Sequence, residues 1–398
     1  MTPISVAVVG GGAAGLAAAV GAARAGAHVS ICERMPGLGR KLLATGGGRC
    51  NLLNERLESS AFTPEGRDLV RAVFDRFGKD AIRSLLEGLG LALTSEADRI
   101  FPATQQAASV LKAFEIELRR LAVDIRTTWD VRRLGWKEGR FVLEARGGGV
   151  LCAERVVLAG GGKSYPAFGA DGNAYGLAGA FGHGLVEPVP SAVPVVVKDR
   201  LCHLLQGQKI RGRAASFVGG RQVEEAEGEI LFTAYGLSGT AVLDVSESLS
   251  RALNRERCGP AELALDLLPR FSREDLTAEL GRRRALGWKD RELTTGLLPE
   301  KFGAAVESWV GSAPGAEGLA GKMKDLRFKV AGTRGWNEAE FTSGGIPVGE
   351  VDPGRLESRL RTGLFLAGEI LDVQGRRGGF NLSWAWASGW LAGRGGMP

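Results

Sequence analysis

The apolar positions of this chain follow two periods, and the points where one gives way to the other mark out its elements. Short, largely apolar runs at Ile4–Val9, Val29–Cys32 and Val156–Ala159 predict strands covered on both faces. An Ala-rich stretch between the first two predicts a helix, so the chain opens as strand, Gly-rich turn, helix and strand, followed by a second Gly-rich loop. Residues 67–90 and 105–122 carry Leu69, Val73 and Phe77, then Val110, Leu111, Phe114 and Leu118, near helical spacing, with a loop between them. From 123 to 159 the pattern turns to short alternating runs, with Phe141, Leu143 and Ala145 on one face, which predicts a small β-meander.

Farther along, residues 189–250 hold β-rich runs such as Val193–Val197 and Glu229–Phe232, separated by glycine and charged turns. From about 254 to 322 the character is helical. Ser272 stands where a helix cap is expected, with Glu274 and Asp275 in the first turn. The Gly-, Ala- and Pro-rich stretch Gly311–Gly321 predicts an exit loop. After Leu326 the strand-and-glycine signature of the N-terminus returns. The expected organisation is α/β with one discontinuous domain: residues 1–188 its first part, 189–253 an inserted β-rich domain, 254–325 a helical insert and 326–398 its second part.

Composition narrows the class. With 398 residues, 44% hydrophobic and 24% charged, the chain can bury several cores and is not disordered by default. Its 60 glycines are about twice the usual share of roughly 7% and cluster at predicted turns, as when backbone approaches a ligand. Five scattered cysteines without CxxC spacing form neither a disulfide framework nor a zinc site, so no metal is expected. No signal-like leader and no apolar stretch of roughly 20 residues is found, which points to a cytoplasmic protein without a membrane partner. Net charge is +6 and mostly diffuse; the densest run, Arg282–Arg284, reads as a solvated helix face.

Chemistry enters with VAVVGGGAAG at 6–15, which sets Gly10, Gly12 and Gly15 in GxGxxG spacing between a strand and a helix. Gly10 permits the tight turn, Gly12 lets backbone approach a pyrophosphate, and Gly15 lets helix and strand pack; Ala13 and Ala14 open the helix whose N–H groups receive the anion. Glu33, followed by Arg34, ends the second run where an acid can bind ribose hydroxyls. Three later elements indicate FAD rather than NAD. The first is Arg40-Lys41 with the loop GGGRCN at 46–51: Gly46 frees N–H groups, Arg40, Lys41 and Arg49 can balance phosphate, and Asn51 can bond the ribityl chain or the ring edge. The second is VVLAGGG at 156–162, a strand stopping at Gly160-Gly161. The third is GLFLAGE at 363–369, whose Gly368-Glu369 can accept from ribityl hydroxyls, followed by Gly379 at a turn into a helix whose positive end can stabilise reduced flavin.

These segments resemble the bacterial NAD(P)/FAD-dependent oxidoreductases that include BaiN-like bile-acid reductases and aminoacetone oxidase. The likeness rests on GRKLLATGGGRCN at 39–51, GGKSYPAFGADG at 161–172, LFTAYGLSG at 231–239 and GEILDVQGRRGGFNLSWAWASG at 368–389. It implies a Rossmann-type FAD domain split by a β-barrel-like and a small helical domain. It also implies FAD contacts from Ala14, Glu33, Arg40, Lys41, Asn51, Val131, Glu369, Asn381 and Leu382, with the Val131 backbone near the adenine. Two departures stand out. Ala234 replaces a common His, and Ala159-Gly160-Gly161 replaces Ala-Thr-Gly.

Flavin chemistry also needs a proton donor or acceptor near the ring. Tyr165 of KSYP can donate a proton or stack, Cys50 lies in the cofactor loop, and Arg376 with Arg377 can clamp an acidic substrate; a turn, a buried thiol and a solvated loop are their plainer roles. Trp384 and Trp386 are expected to pack, and His183 and His203 to be structural. No second GxGxxG follows a strand, so NAD(P)H is expected to bind transiently on the flavin face, or another carrier or oxygen takes its place. Three functions follow: NAD(P)H-dependent reduction of an activated double bond in a small molecule, oxidation of a small amine by oxygen, and, on the basic charge alone, a flavin-containing nucleic-acid-binding or regulatory protein. Oligomeric state is left open.

Overall fold

The computed structural model describes residues 3–395 and Met397. Two compact units emerge, one of residues 1–188 with 341–398 and one of 189–340, and each closes its own hydrophobic core.

In the first unit the expected apolar runs become β1 (Ser5–Val9), β2 (His28–Cys32), β3 (Asp124–Arg126), β4 (Arg155–Leu158) and β5 (Leu364–Leu366). They form a wholly parallel sheet in the order β5-β4-β1-β2-β3. Parallel strands are covered on both faces, which is why Val8, Ile31, Leu158 and Leu366 show no exposed surface beyond 0%. Helices α1 (Ala13–Arg24) and α2 (Phe380–Arg394) pack closely because α2 presents glycine to α1. A Cβ on Gly389 would stand 2.2 Å from the Ala14 carbonyl oxygen, and one on Gly393 2.1 Å from that of Ala18. Trp384 and Trp386 are buried, as expected, and their indole N–H groups donate to the Gly368 and Leu52 carbonyls, both at 3.1 Å.

The beginning and the tail of the chain thus meet in one sheet. Gly368, just after β5, lies so close to α1 that its Cβ would come within 2.7 Å of that of Ala14.

The second unit is built on a seven-stranded sheet that includes Lys209–Val218, Arg221–Thr233 and Ala261–Asp266. Its organisation corrects two expected boundaries. The β-rich and helical stretches share one core, with Phe232 against Phe302 at 5.6 Å between ring centroids, so they are one unit and not two. The chain rejoins the first unit at 341 and not at 326, because Leu326–Lys329 and Gly332–Thr333 complete the seven-stranded sheet.

Local readings shift as well. The helical stretch 67–90 breaks into Arg67–Arg76 and Lys79–Gly88 at Gly78, whose Cβ would press to 2.6 Å from the Phe74 carbonyl oxygen. The predicted exit loop holds a helix, Gly315–Lys324, started at Pro314, because burial of Leu319, Ala320 and Met323 outweighs the weak helix propensity of its glycines. The Arg282–Arg284 run is not a free basic face. Arg282 and Arg283 pair with Glu279 at 2.8 and 2.6 Å, Arg283 also donates to the Leu293 and Thr295 carbonyls, and Arg284 pairs with Asp290 at 2.9 Å.

Candidate flavin-nucleotide site

At the β1–α1 turn the three fingerprint glycines have three different environments. Gly10, at φ 103°, takes a left-handed conformation, and its Cβ would stand 2.5 Å from the Ala159 carbonyl oxygen. Gly15 could not carry a Cβ at all, since that atom would fall 1.8 Å from the Gly10 oxygen. Gly12 is different: a Cβ there would meet nothing within 4 Å. Protein packing requires glycine at 10 and 15 but not at 12, where the free space lies against the start of α1. No side chain caps that helix end, so the N–H groups of its first turn, at Ala13 and Ala14, are left to an outside acceptor.

Glu33 stands just beyond β2, buried, with its two carboxylate oxygens held by the Gly11 and Met35 N–H groups at 2.7 Å each. Burial raises its pKa above the ordinary value, against the pull of those two N–H donors. Arg34, next in the chain, has partners of its own within the protein. Its guanidinium pairs with Asp130 at 3.0 Å and with Asp171, and donates to the Gly169 carbonyl at 3.2 Å. Arg34 therefore fastens the Tyr165–Gly172 turn to the end of β2. The Val131 carbonyl is likewise occupied, accepting from Asn173 Nδ2 at 2.7 Å.

Lys41 pairs with a carboxylate of the same unit. Its ammonium reaches Glu369 at 2.7 Å and Ser164, while Ser164 Oγ donates to the other Glu369 oxygen at 3.2 Å. The Thr342 N–H donates to that same oxygen at 2.8 Å, and Thr342 Oγ1 receives the Lys163 and Ser164 N–H groups. Glu369 is thus fixed just after β5, which neighbours β4, the strand that ends before Gly160-Gly161. Arg49 pairs with Glu96 at 2.6 Å and lies over the Phe101 ring. Arg40 is exposed at the first position of a short helix, and Gly46, at φ 57°, opens the turn that follows.

The opposite end of the site centres on Asn51 and Gly379. Gly379 takes φ 101° as the N-cap of α2, which again has no side-chain cap, and its Cβ would stand 2.8 Å from Asn51 Oδ1. That oxygen is buried and has no hydrogen-bond partner among the described residues. A buried acceptor without a donor costs about 1–3 kcal/mol unless a ligand supplies one, and the imide N–H of a flavin is such a donor. The Asn381 side chain is closed upon Gly375, receiving its N–H at 2.9 Å and donating to its carbonyl at 2.7 Å, so it shapes the turn. The backbone N–H groups of Asn381 and Leu382 lie in the first turn of this helix end, which no side chain caps. Uncapped α1, the vacant space at Gly12, the orphaned Asn51 oxygen and uncapped α2 together fit FAD.

The catalytic candidates fare unequally. Cys50 is fully buried and its thiol is pushed up to about 12 by burial, which keeps it protonated at neutral pH. Tyr165 sits half-buried at φ 57°, directly before Pro166, its ring 5.5 Å from that of Phe168. Arg376 is exposed beside the Gly378-Gly379 turn. His183 is buried between Glu350 and Ser358, 2.7 Å from each, and His203 is exposed on a short helix of the second unit. Sequence reading passed over Ser164, Thr342 and Asn173. Ser164 lies inside a quoted motif, whereas Thr342 carries no local signal, since its role arises only when the strand Phe341–Gly345 is brought beside the Gly368–Ile370 turn that follows β5. No cluster of metal-binding side chains occurs among the described residues, and no described helix is long and apolar enough to cross a membrane.

Comparison with known proteins agrees with this geometry. The family model described as HI0933-like protein Rossmann domain matches residues 4–395. A 3-dehydro-bile acid delta(4,6)-reductase of Clostridium scindens is 36% identical over 98% of both chains. A ribosomal RNA dihydrouridine synthase of Escherichia coli is 28% identical over 96% of this chain and 95% of its own. Among solved structures, the 3-ketosteroid delta1-dehydrogenase of Sterolibacterium denitrificans shares the fold at a TM-score of 0.53 and 13% identity, covering 99% of each chain. The chain belongs to the HI0933-like Rossmann family and is an FAD-dependent oxidoreductase.

Proposed function

We propose that this protein takes hydride from NAD(P)H and delivers it to a carbon–carbon double bond conjugated to a carbonyl in a small organic substrate. The observation that carries this reading is the identity of 36% with a reductase over 98% of both chains. Bound FAD supplies the hydride-carrying centre. The chain supplies its placement: the first turn of α1 receives the pyrophosphate, Glu33 the ribose hydroxyls, Glu369 the ribityl hydroxyls and Asn51 Oδ1 the imide N–H. Adding hydride to the far carbon of such a bond leaves negative charge on the carbonyl oxygen, and a proton must reach the near carbon. Tyr165 is the proton-donor candidate. The uncapped end of α2 stabilises negative charge beside the ring.

A second reading rests on the E. coli relative: uracil also holds a double bond conjugated to a carbonyl, so ribosomal RNA would present the same chemistry in another substrate. Anaerobic rapid mixing separates the readings. The expected result is bleaching of the flavin by NADH or NADPH, reoxidation by a 4,6-dien-3-one steroid, and a product two mass units heavier. Bleaching by small amines with peroxide formed in air would replace the proposal with an oxidase. Dihydrouridine appearing in ribosomal RNA, with dienones inert, would establish the RNA reading instead.

A further inference from the structure

Residues 163–173 leave the end of β4 and cross the edge of the parallel sheet at which all its strands end. On the β5 side the segment is pinned by Ser164, whose Oγ donates to Glu369 at 3.2 Å and accepts from the Lys41 ammonium. Thr342 Oγ1 adds to that pin by accepting the Lys163 and Ser164 N–H groups at 2.8 and 3.2 Å. On the β2 side the pin is Arg34, itself held by Asp130 at 3.0 Å, which pairs with Asp171 and donates to the Gly169 carbonyl at 3.2 Å. A Cβ on Gly169 would stand 2.9 Å from Met35 Cγ, so the segment lies directly on the residues that follow β2. Beyond this pin, Asn173 Nδ2 donates to the Val131 carbonyl at 2.7 Å.

The strand order β5-β4-β1-β2 sets what lies between the two pins. Neighbouring strands stand about 4.8 Å apart, so the crossing from β5 to β2 measures about 14 Å. The chain from Ser164 to Gly169 reaches at most roughly 17 Å when fully extended, and the tight helical turn Pro166–Phe168 shortens it. Little slack is left for it to arch away, and it passes the carboxyl ends of β4 and β1. The crevice there, where the strand order reverses, is where an open parallel sheet holds its nucleotide. The crossing is also strained. Tyr165 stands at φ 57° and ψ 63°, a left-handed conformation that a residue with a Cβ rarely adopts, in a position that the following proline biases toward extended backbone. Strain of this kind persists only while the surroundings hold both ends, so releasing one pin lets the segment open.

We propose that residues 165–168 are a strap closed over the flavin nucleotide and that Arg34 is its latch, a positioning residue that acts on FAD by holding the strap down and not by contact. FAD enters and leaves only while the pair of Arg34 with Asp171 is open. The latch acts in the same way whichever substrate the site takes. Opening it changes both exchange rates together, because one gap admits and releases the cofactor, whereas loss of a direct contact speeds release alone.

The test measures both rates in R34Q and D171N by flavin fluorescence, as apoprotein takes up FAD and as holoprotein gives it up to an excess of a second FAD-binding apoprotein. The expected result is uptake and release both faster than in wild type by about tenfold or more, the effect of losing a charge-assisted hydrogen bond, with the FAD dissociation constant changed by less than about threefold. D171N opens the latch from the strap side, and its amide oxygen can still accept the Asn173 N–H that Asp171 holds at 3.0 Å. R34Q/D171N is expected to exchange FAD no faster than R34Q, since the two side chains form one contact. R133Q, at an exposed arginine paired with Glu144 at 2.5 Å, keeps wild-type rates. Unchanged rates in R34Q and D171N, or effects that multiply in the double variant, would overturn the proposal. Faster release with unchanged uptake and a proportionally weaker dissociation constant would overturn it too, and would make Arg34 a direct contact of the cofactor. Should R34Q fail to fold, D171N decides by the same two rates.

Discussion

Gly12 and Gly15 belong to one fingerprint, yet the structure asks different things of them. Gly15 is required by packing, because its Cβ would overlap the Gly10 carbonyl, whereas Gly12 faces open space. Gly15→Ala is therefore expected to destabilise the protein by about 1–3 kcal/mol, as overpacking does, and to lower its unfolding midpoint with or without FAD. Gly12→Ala is expected to leave apoprotein stability within about 0.5 kcal/mol of wild type and to weaken FAD binding by roughly tenfold or more. Denaturant unfolding and FAD titration of the two variants measure this, and equal behaviour would mean that no ligand occupies the space at Gly12. Glu33 yields a pH prediction. Its carboxyl holds a proton more tightly in the fold than in the unfolded chain, whose value is about 4.5, so proton uptake on acidification favours the folded state. Apoprotein stability relative to Glu33→Gln should accordingly rise as pH falls from neutrality toward 4.5, and a flat or opposite difference would show that the two N–H donors outweigh burial. The placement of the fingerprint, Glu33, Asn51 and Glu369 at strand ends and glycine turns was legible, because those strands and turns show in the sequence itself. The partners of Lys41, Arg34 and Arg49 were not legible, because a cation shows its charge in the sequence but not the carboxylate that folding brings to it.

At the scale of elements, α2 does two jobs. Its glycines let it lie on α1, and its indoles tie it to the loops on either side of the site. Trp386 stacks on Phe114 at 5.2 Å between ring centroids and donates to the Leu52 carbonyl, one residue from Asn51. Trp386→Ala is expected to cost about 3–5 kcal/mol in urea unfolding and to release FAD, whereas Trp386→Phe keeps the ring and loses only the hydrogen bond, at about 1 kcal/mol. If Trp386→Ala unfolds like wild type, the helix is held by its glycine contacts alone. The strands of the parallel sheet were legible from their apolar runs, and so was the helix start at Ser272, where its side chain accepts from the Asp275 N–H at 3.0 Å. The helix Gly315–Lys324 was not, because glycine and proline weaken the local signal while tertiary burial decides the outcome.

For the whole molecule the decisive fact is that each unit closes its own core. The buried apolar residues of the first come only from 1–188 and 341–398, and those of the second only from 189–340. Every atom assigned here to FAD, from Gly12 to Leu382, lies in the first unit. Replacing residues 189–340 by a short Gly-Ser linker should then give a protein that folds cooperatively, turns yellow with FAD and releases it on denaturation. Residues 189–340 expressed alone should fold with the spectrum of a β-rich protein and stay colourless. The linked first unit tests the assignment of the site more sharply than any point variant, since it deletes a large part of the chain without touching a proposed contact. A shortened protein that folds but refuses FAD would mean that binding needs residues from the second unit, and the contacts named at Asn51, Gly379 and Glu369 would have to be reassigned. A shortened protein that binds FAD as wild type does, yet is no longer reoxidised by the dienone, would place part of the substrate's anchorage in the second unit while leaving the nucleotide site where β1, β4 and β5 put it.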